Sequence, residues 1–355
     1  MIRAGIIATL GLLTLANAAF AQAPAGTNYN ISNFTFETGE TFPQLRVHYY
    51  TFGRPTRDPS GHVHNAVLVV HGTTGSGAPF ASTTFAGELF GPGQLLDTAK
   101  YYVIIPDAIG HGQSSKPSDG LRTKFPKYSY NDMVLAEHEL LTRALDVDHL
   151  RLMIGTSMGC MHAWLWMERY PTFIDGAVPL ACAPTEIAGR NRITRKLMIE
   201  YITSDPAYDG GNYKAEPIAG LREATAIMNL TGLSPKMFQK QAPTRAAADS
   251  VAMRTAHAES SPYDANDLIY AVDASRDYDP SHDLEKITTR VVAINSADDF
   301  INPPELGLME RLMPHVKHGR YVLLPITDET RGHGTHSLPA IWKPYLAQLL
   351  KELPQ

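Results

Sequence analysis

The pentapeptide Gly155-Thr156-Ser157-Met158-Gly159 constrains this chain more than any other stretch, because it stands between an apolar run at 150–154 and a segment with helical patterning. A strand that turns at once into a helix at G-x-S-x-G is the setting of a nucleophile elbow, in which the turn forces the serine into a strained backbone conformation and exposes its hydroxyl at the end of the strand. The flanking glycines are needed where the helix closes on its strand and a Cβ would collide. Such an elbow calls for strands alternating with helices, and the rest of the chain supplies them. Strand-like runs fall at 46–52, 66–70, 101–105, 150–154, 176–180, 291–294 and 320–324, several of them continuously apolar, as buried parallel strands are. Between them, residues 131–147 carry Val134, Leu141 and Leu145 on one helical face, and 338–353 carry Ile341, Trp342, Tyr345 and Leu349 at helical spacing. These stripes read as core.

The alternation stops between 184 and 286, a stretch rich in Ala, Met, Asp and Pro with helical patches and no clear strand. It reads as an inserted helical cap, which divides the α/β core into a first part, 22–183, and a second part, 287–355. The insertion follows the strand ending near Leu180 and precedes the strand at Val291, so it should lie over the carboxyl ends of the strands, where open α/β sheets bind ligands.

Residues 1–21 read as a cleavable secretory signal, with Arg3 as the positive start, an apolar stretch at 4–16 and Ala19-Phe20-Ala21 as the small-x-small site. The apolar stretch is too short to cross a bilayer core, which needs roughly 20 residues. No later segment is long and apolar enough either. The expected location is therefore periplasmic or secreted. The whole chain has 31 basic and 36 acidic side chains, and the leader holds one of the basic ones and no acid, so the mature chain has a net charge of −6. That balance, with no basic stripe interleaved with aromatics, argues against nucleic acid and for a small-molecule partner. The two cysteines, Cys160 and Cys182, are expected as buried free thiols, although export would permit a bond between them.

A serine hydroxyl needs a base within hydrogen-bond reach, and the base needs an orienting acid. After an elbow of this kind they follow in the order acid, then histidine. The strand at 291–294 runs into Asn295-Ser296-Ala297-Asp298-Asp299, and Asp299, four residues before Pro303, is the expected acid, with Asp298 as the alternative. After the last strand, Thr330-Arg331-Gly332-His333-Gly334-Thr335-His336 leads into the terminal helix; His333 is the expected base and His336 its rival. The oxyanion donors are expected to be the backbone N–H of Met158 and, in His71-Gly72-Thr73-Thr74-Gly75 directly after 67–70, the N–H of Thr73. His62 and His64 have no third ligand at a useful spacing, so they read as loop residues, and no metal or cofactor is expected.

With these residues placed, the chain resembles the homoserine O-acetyltransferase branch of the α/β-hydrolase fold. The likeness rests on Asn65-Ala66-Val67-Leu68-Val69-Val70-His71, on the G-x-S-M-G elbow, on Asp205-Pro206, Gly211-Asn212-Tyr213, Pro217 and Gly220-Leu221 in the insertion, and on Tyr263-Asp264-Ala265-Asn266. It implies a mostly parallel central sheet with helices on both faces and an inserted helical cap. A homodimer formed through the caps is among its expectations. Three departures bear on the reaction. Where the family's transferases carry T-Y-R-S, whose arginine holds the amino-acid substrate, this chain has Thr231-Gly232-Leu233-Ser234. Where an aspartate follows their catalytic histidine and meets the substrate amine, Gly334 follows His333. The segment Pro106-Asp107-Ala108-Ile109-Gly110-His111-Gly112-Gln113-Ser114-Ser115 is closer to ordinary hydrolases. Recognition of a zwitterion is thus expected to be lost, which implies an exported serine hydrolase acting on an ester or related acyl compound, with an acetyltransferase-like acyl transfer as the alternative.

Overall fold

The computed structural model describes residues 25–354, so the expected leader lies outside the described residues. One sheet of eight strands, β1 (Thr27–Thr35), β2 (Thr41–Phe52), β3 (Ala66–Val70), β4 (Tyr102–Pro106), β5 (Leu150–Thr156), β6 (Ile174–Leu180), β7 (Arg290–Ser296) and β8 (Gly319–Leu324), runs in the order β1-β2-β4-β3-β5-β6-β7-β8. The first two strands are antiparallel to each other and β2 to β4, while every pairing from β4 to β8 is parallel. The α/β architecture expected above is present, with one strand more. β1 escapes a reading by hydrophobicity because it buries only Ile31 and Phe34 and is held by its pairing with β2, Thr27 opposite Tyr49 through Thr35 opposite Thr41.

Alternation along the strands assigns the two faces. In β3, Ala66, Leu68 and Val70 pack into one core, and Val67 and Val69 into the other. The first core takes in α2 (Tyr130–Glu139) and α3 (Met158–Arg169), including Trp164 and Trp166; the second takes in α1 (Ala86–Leu89) and Trp342, Leu346 and Leu349 of the terminal helix Pro339–Glu352. Ser129 caps α2 by accepting from Asp132 N–H, while the Asp132 carboxylate accepts from Ser129 N–H in return. Beyond Glu139 the expected helix passes into a π-helical turn, Leu140–Ala144.

Between β6 and β7 lie five helices, α4 (Gly189–Ser204), α5 (Ile218–Gly232), α6 (Pro235–Gln241), α7 (Arg245–Ala256) and α8 (Ala265–Asp273). Asp205, Ser234, Thr244 and Asp264 each accept from the amide two or three residues on, which starts the helical turns that follow them. The short α9 (Leu308–Leu312) and the terminal helix, α10, complete the chain. Among the described residues no helix is long and apolar enough to cross a membrane.

The structure corrects the expectation of free thiols: Cys160 and Cys182 form a disulfide, with their Cα atoms 6.0 Å apart. The reason is topological. β6 lies parallel beside β5, so the residues just past its carboxyl end stand next to the first turn of the helix that leaves β5.

Candidate active site

Ser157 joins β5 to α3 with φ 54° and ψ −108°, a backbone that a residue bearing a Cβ adopts only where its surroundings impose it. Ser157 N–H donates to the carbonyl of Leu180 at 2.8 Å, and Gly159 N–H to that of His71 at 2.9 Å. A Cβ on Gly155 would strike the carbonyl oxygen of Gly159, and one on Gly159 that of Val70, so the elbow depends on both glycines. The serine is thereby held at the carboxyl ends of β3, β5 and β6.

The Ser157 hydroxyl donates to His333 Nε2 at 2.8 Å, and His333 Nδ1–H donates to Asp299 Oδ2 at 2.8 Å. A carboxylate can only accept, which places the ring proton on Nδ1 and leaves Nε2 free to receive the serine's. Asp299 is 1% exposed and also accepts from the amides of Ile301 at 2.8 Å and Asn302 at 3.2 Å. Burial pushes its carboxyl up, but the His333 ring and these hydrogen bonds outweigh that and hold it below the usual carboxylate range.

The two alternatives occupy other places. Asp298 accepts from Ser296 Oγ at 2.5 Å, Thr330 Oγ1 at 2.9 Å and Gly332 N–H at 3.1 Å, so it pins the loop that carries His333 and does not face the ring. His336 lies with its ring centroid 5.2 Å from that of His333. Burial, then the nearby His333, push its pKa down to about 3, which keeps it neutral.

Gly72 approaches the serine so closely that a Cβ there would lie 3.3 Å from Ser157 Cβ and 3.8 Å from Oγ. Among the described residues neither Thr73 N–H nor Met158 N–H donates to a protein acceptor, so both expected oxyanion amides are unclaimed beside the serine. Sequence reasoning missed the groups that hold this loop. His71 Nδ1–H donates to Gly72 O at 2.8 Å, and its Nε2 accepts from Ala108 N–H at 3.0 Å. Burial holds that ring well below the usual histidine range, in keeping with a neutral tautomer. His111 reaches the carbonyl oxygen of Thr73. Asp107, 1% exposed, accepts from Gly77 N–H at 2.6 Å and Gln113 N–H at 2.9 Å and pairs with His48 at 2.9 Å. The available signal was the cluster Asp107…His111…Ser114 directly after a strand.

A cavity of about 560 Å³ opens above Ser157, between the sheet and the inserted helices, with Phe80, Phe85, Met161, Met198 and Val272 among its walls. Leu233 and Gly334, the positions where the resemblance places charged residues in the transferases, both line it.

Residues 65–218 match the family model described as the alpha/beta hydrolase fold. A probable acyltransferase from Methanothermobacter thermautotrophicus is 30% identical over 308 residues, covering 86% of this chain and 91% of that protein. A homoserine O-acetyltransferase from Natronomonas pharaonis is 33% identical over 233 residues, 59% of this chain and 55% of that protein. An ethyl acetate hydrolase from Pseudomonas veronii is 30% identical over 216 residues, 59% of each chain. The chain therefore spans somewhat over half the length of these last two relatives. Among solved structures, the acetyl esterase MekB superposes with a TM-score of 0.78 at 24% identity, covering 93% of this chain and 97% of that one. Homoserine O-acetyltransferase from Bacillus anthracis gives 0.79 at 20%, covering 94% and 99%. The chain belongs to the α/β-hydrolase family. Within it, the chain is a member of the homoserine O-acetyltransferase-like branch, an enzyme of the esterase and acyltransferase type.

Proposed function

We propose that this protein is an exported serine hydrolase that cleaves an ester or related small acyl compound through an acyl-serine intermediate. The observation that carries the reading is the continuous hydrogen-bond path from Ser157 through His333 to Asp299 at the floor of a largely apolar cavity. In this reading Ser157 Oγ bonds to the acyl carbon as its proton passes to His333 Nε2, and Asp299 stabilises the imidazolium that forms. The amides of Thr73 and Met158 donate to the oxyanion. Collapse of the tetrahedral intermediate breaks the bond to the leaving oxygen, which takes the proton from Nε2. Water then attacks the acyl-enzyme, giving its proton to Nε2, and the acid leaves as that proton returns to Ser157.

Water as the acceptor is favoured by the cavity wall. An arginine and an aspartate would each give an amino-acid acceptor a charge-assisted hydrogen bond worth about 1.5–3 kcal/mol, and Leu233 and Gly334 offer neither. The relative named as an ethyl acetate hydrolase points the same way. Export is supported by the leader pattern at 1–21 and by the Cys160–Cys182 bond, since disulfides persist in oxidising compartments.

Fluorophosphonate labelling tests the chemistry: the wild type should label at Ser157 and a Ser157→Ala variant should not, and an unlabelled wild type would refute the reading. Turnover of p-nitrophenyl esters should exceed formation of O-acetylhomoserine from acetyl-CoA and homoserine. The reverse ranking would establish acyl transfer.

A further inference from the structure

Arg195 stands out among the groups that the proposed chemistry leaves unused. It lies on α4 with Asn191, Thr194 and Met198, at the i, i+3, i+4, i+7 spacing of one helical face, and all four line the cavity above Ser157. The residue is 8% exposed. Of its five N–H donors, Nε–H donates to Asn191 Oδ1 at 3.0 Å and one at Nη1 to the carbonyl of Val272 at a long 3.4 Å. Among the described residues it forms no ion pair. Asp273, next in sequence to Val272, pairs with Arg276 at 3.5 Å, and no aspartate or glutamate lines the cavity. A second cation, Arg190, sits on the same cavity and is exposed, so the positive character continues to the surface.

A desolvated guanidinium without a counter-ion is costly in a protein interior, and the cost falls when an anion completes its fork. The same cavity has apolar wall from Phe80, Phe85, Met161, Met198 and Val272, which suits an aliphatic chain. We infer that Arg195 is the carboxylate-binding group of this site and that the substrate is an anionic ester, an ester function joined through a short aliphatic chain to a free carboxylate. The inference rests on the serine hydrolase reading and narrows it. Because no acid faces the cavity to receive an ammonium group, an anion fits it and a zwitterion does not.

Two isosteric pairs test it. Monomethyl glutarate against methyl 5-methylhexanoate places the charge on the acyl side; 4-acetoxybutanoate against 4-methylpentyl acetate places it on the alcohol side. In at least one pair the carboxylate member should have the higher kcat/KM by about 10- to 100-fold, the factor one charge-assisted hydrogen bond supplies, and that pair identifies the half carrying the charge. Arg195→Met should bring the ratio to near one, and Arg195→Lys should keep part of it, which a purely structural arginine would not do. No preference in either pair, or a preference that survives Arg195→Met and vanishes in Arg190→Met, overturns the assignment. Should Arg195→Met fail to fold, protection of wild-type Ser157 from fluorophosphonate decides. Glutarate should then protect at lower concentration than 5-methylhexanoate, or 4-hydroxybutanoate at lower concentration than 4-methylpentan-1-ol, and equal protection within both pairs overturns the inference. A wild type that neither labels nor hydrolyses any of the four esters fails the hydrolase reading and this one together. Labelling and neutral-ester hydrolysis without a charge preference fail this one alone.

Discussion

Opening the Cys160–Cys182 bond is a perturbation whose size follows from its place in the chain. The two residues are 22 apart in sequence, and a cross-link of that span removes loop entropy from the unfolded chain worth about 3 kcal/mol. A chain of this length unfolds with roughly 2.1 cal/mol/K per residue, so that loss should lower the melting temperature by about 5 °C. Both cysteines are 1% exposed, so a reductant needs the chain to open before it reaches the sulfurs. The comparison is therefore between wild-type protein refolded with and without reductant, followed by thermal unfolding, with a Cys160→Ala/Cys182→Ala variant as the control that should ignore reductant. The elbow's own hydrogen bonds, Ser157 to Leu180 and Gly159 to His71, do not pass through the sulfurs, so the reduced enzyme should keep its fluorophosphonate labelling below its lowered transition. Coincident transitions for oxidised and reduced wild type, or two titratable thiols in protein denatured without reductant, would refute the reasoning.

Three further outcomes are expected. Asp299→Asn, which keeps the shape but cannot hold His333 in the Nδ1–H tautomer, should cost about 10⁴ in kcat on p-nitrophenyl acetate, whereas Asp298→Asn should cost about tenfold by loosening Gly332 and Thr330. The opposite ranking would exchange the two roles. Gly159→Ala forces a methyl against Val70 O and should lower stability by about 1–3 kcal/mol in urea unfolding, and an unchanged midpoint would contradict the close approach of helix and strand. Burial, with Asp283 nearby, raises Glu168 from 4.5 to about 8, so the folded chain keeps a proton that the unfolded chain has released. The stability from that proton is complete below the unfolded value and is lost as pH rises through about 8. Glu168→Gln should accordingly gain on the wild type in melting temperature between pH 5 and pH 9, and a difference independent of pH would show that the carboxyl does not titrate there.

The parts of this site that could be read from the chain are those whose function fixes a local pattern. A serine on an elbow needs Gly155 and Gly159 within two residues of it, and the structure shows the backbone atoms that forbid anything larger. Asp299 and His333 stand in the loops that follow β7 and β8, where the expected order along such a sheet places an acid and then a histidine, and they meet across 34 residues. What escaped depends on partners distant in sequence. β1 has too little buried surface to announce itself and exists because β2 pairs with it. The disulfide depends on the adjacency of β5 and β6, which no spacing of cysteines encodes. Asp107, His71 and His111 matter because they are buried together behind the loop at 71–75, and Arg195 looks like one more basic residue of a polar helix until the cavity defines which face is inward.

The inserted helices and the histidine loop are joined through backbone, which limits how the pocket can be reshaped. His333 N–H donates to Gly232 O at 3.1 Å, and Gly332, at φ 65°, lies where a Cβ would come 2.7 Å from Ser234 N and 3.1 Å from the carbonyl carbon of Leu233. On its other side Asp298 grips Gly332 N–H. Gly232 and Leu233 are thus cavity wall and, through backbone, the seat of the His333 loop, so a shift of the 232–234 backbone moves His333 with it. α4 packs on α5 and α8 and makes no hydrogen bond to Ser157, His333 or Asp299; its first turn does reach the acid's loop, where Arg190 donates to the carbonyl of Phe300. Arg195, one turn further along α4, bonds only to Asn191 and the carbonyl of Val272, so a change there alters the cavity wall without touching a hydrogen bond of Ser157, His333 or Asp299.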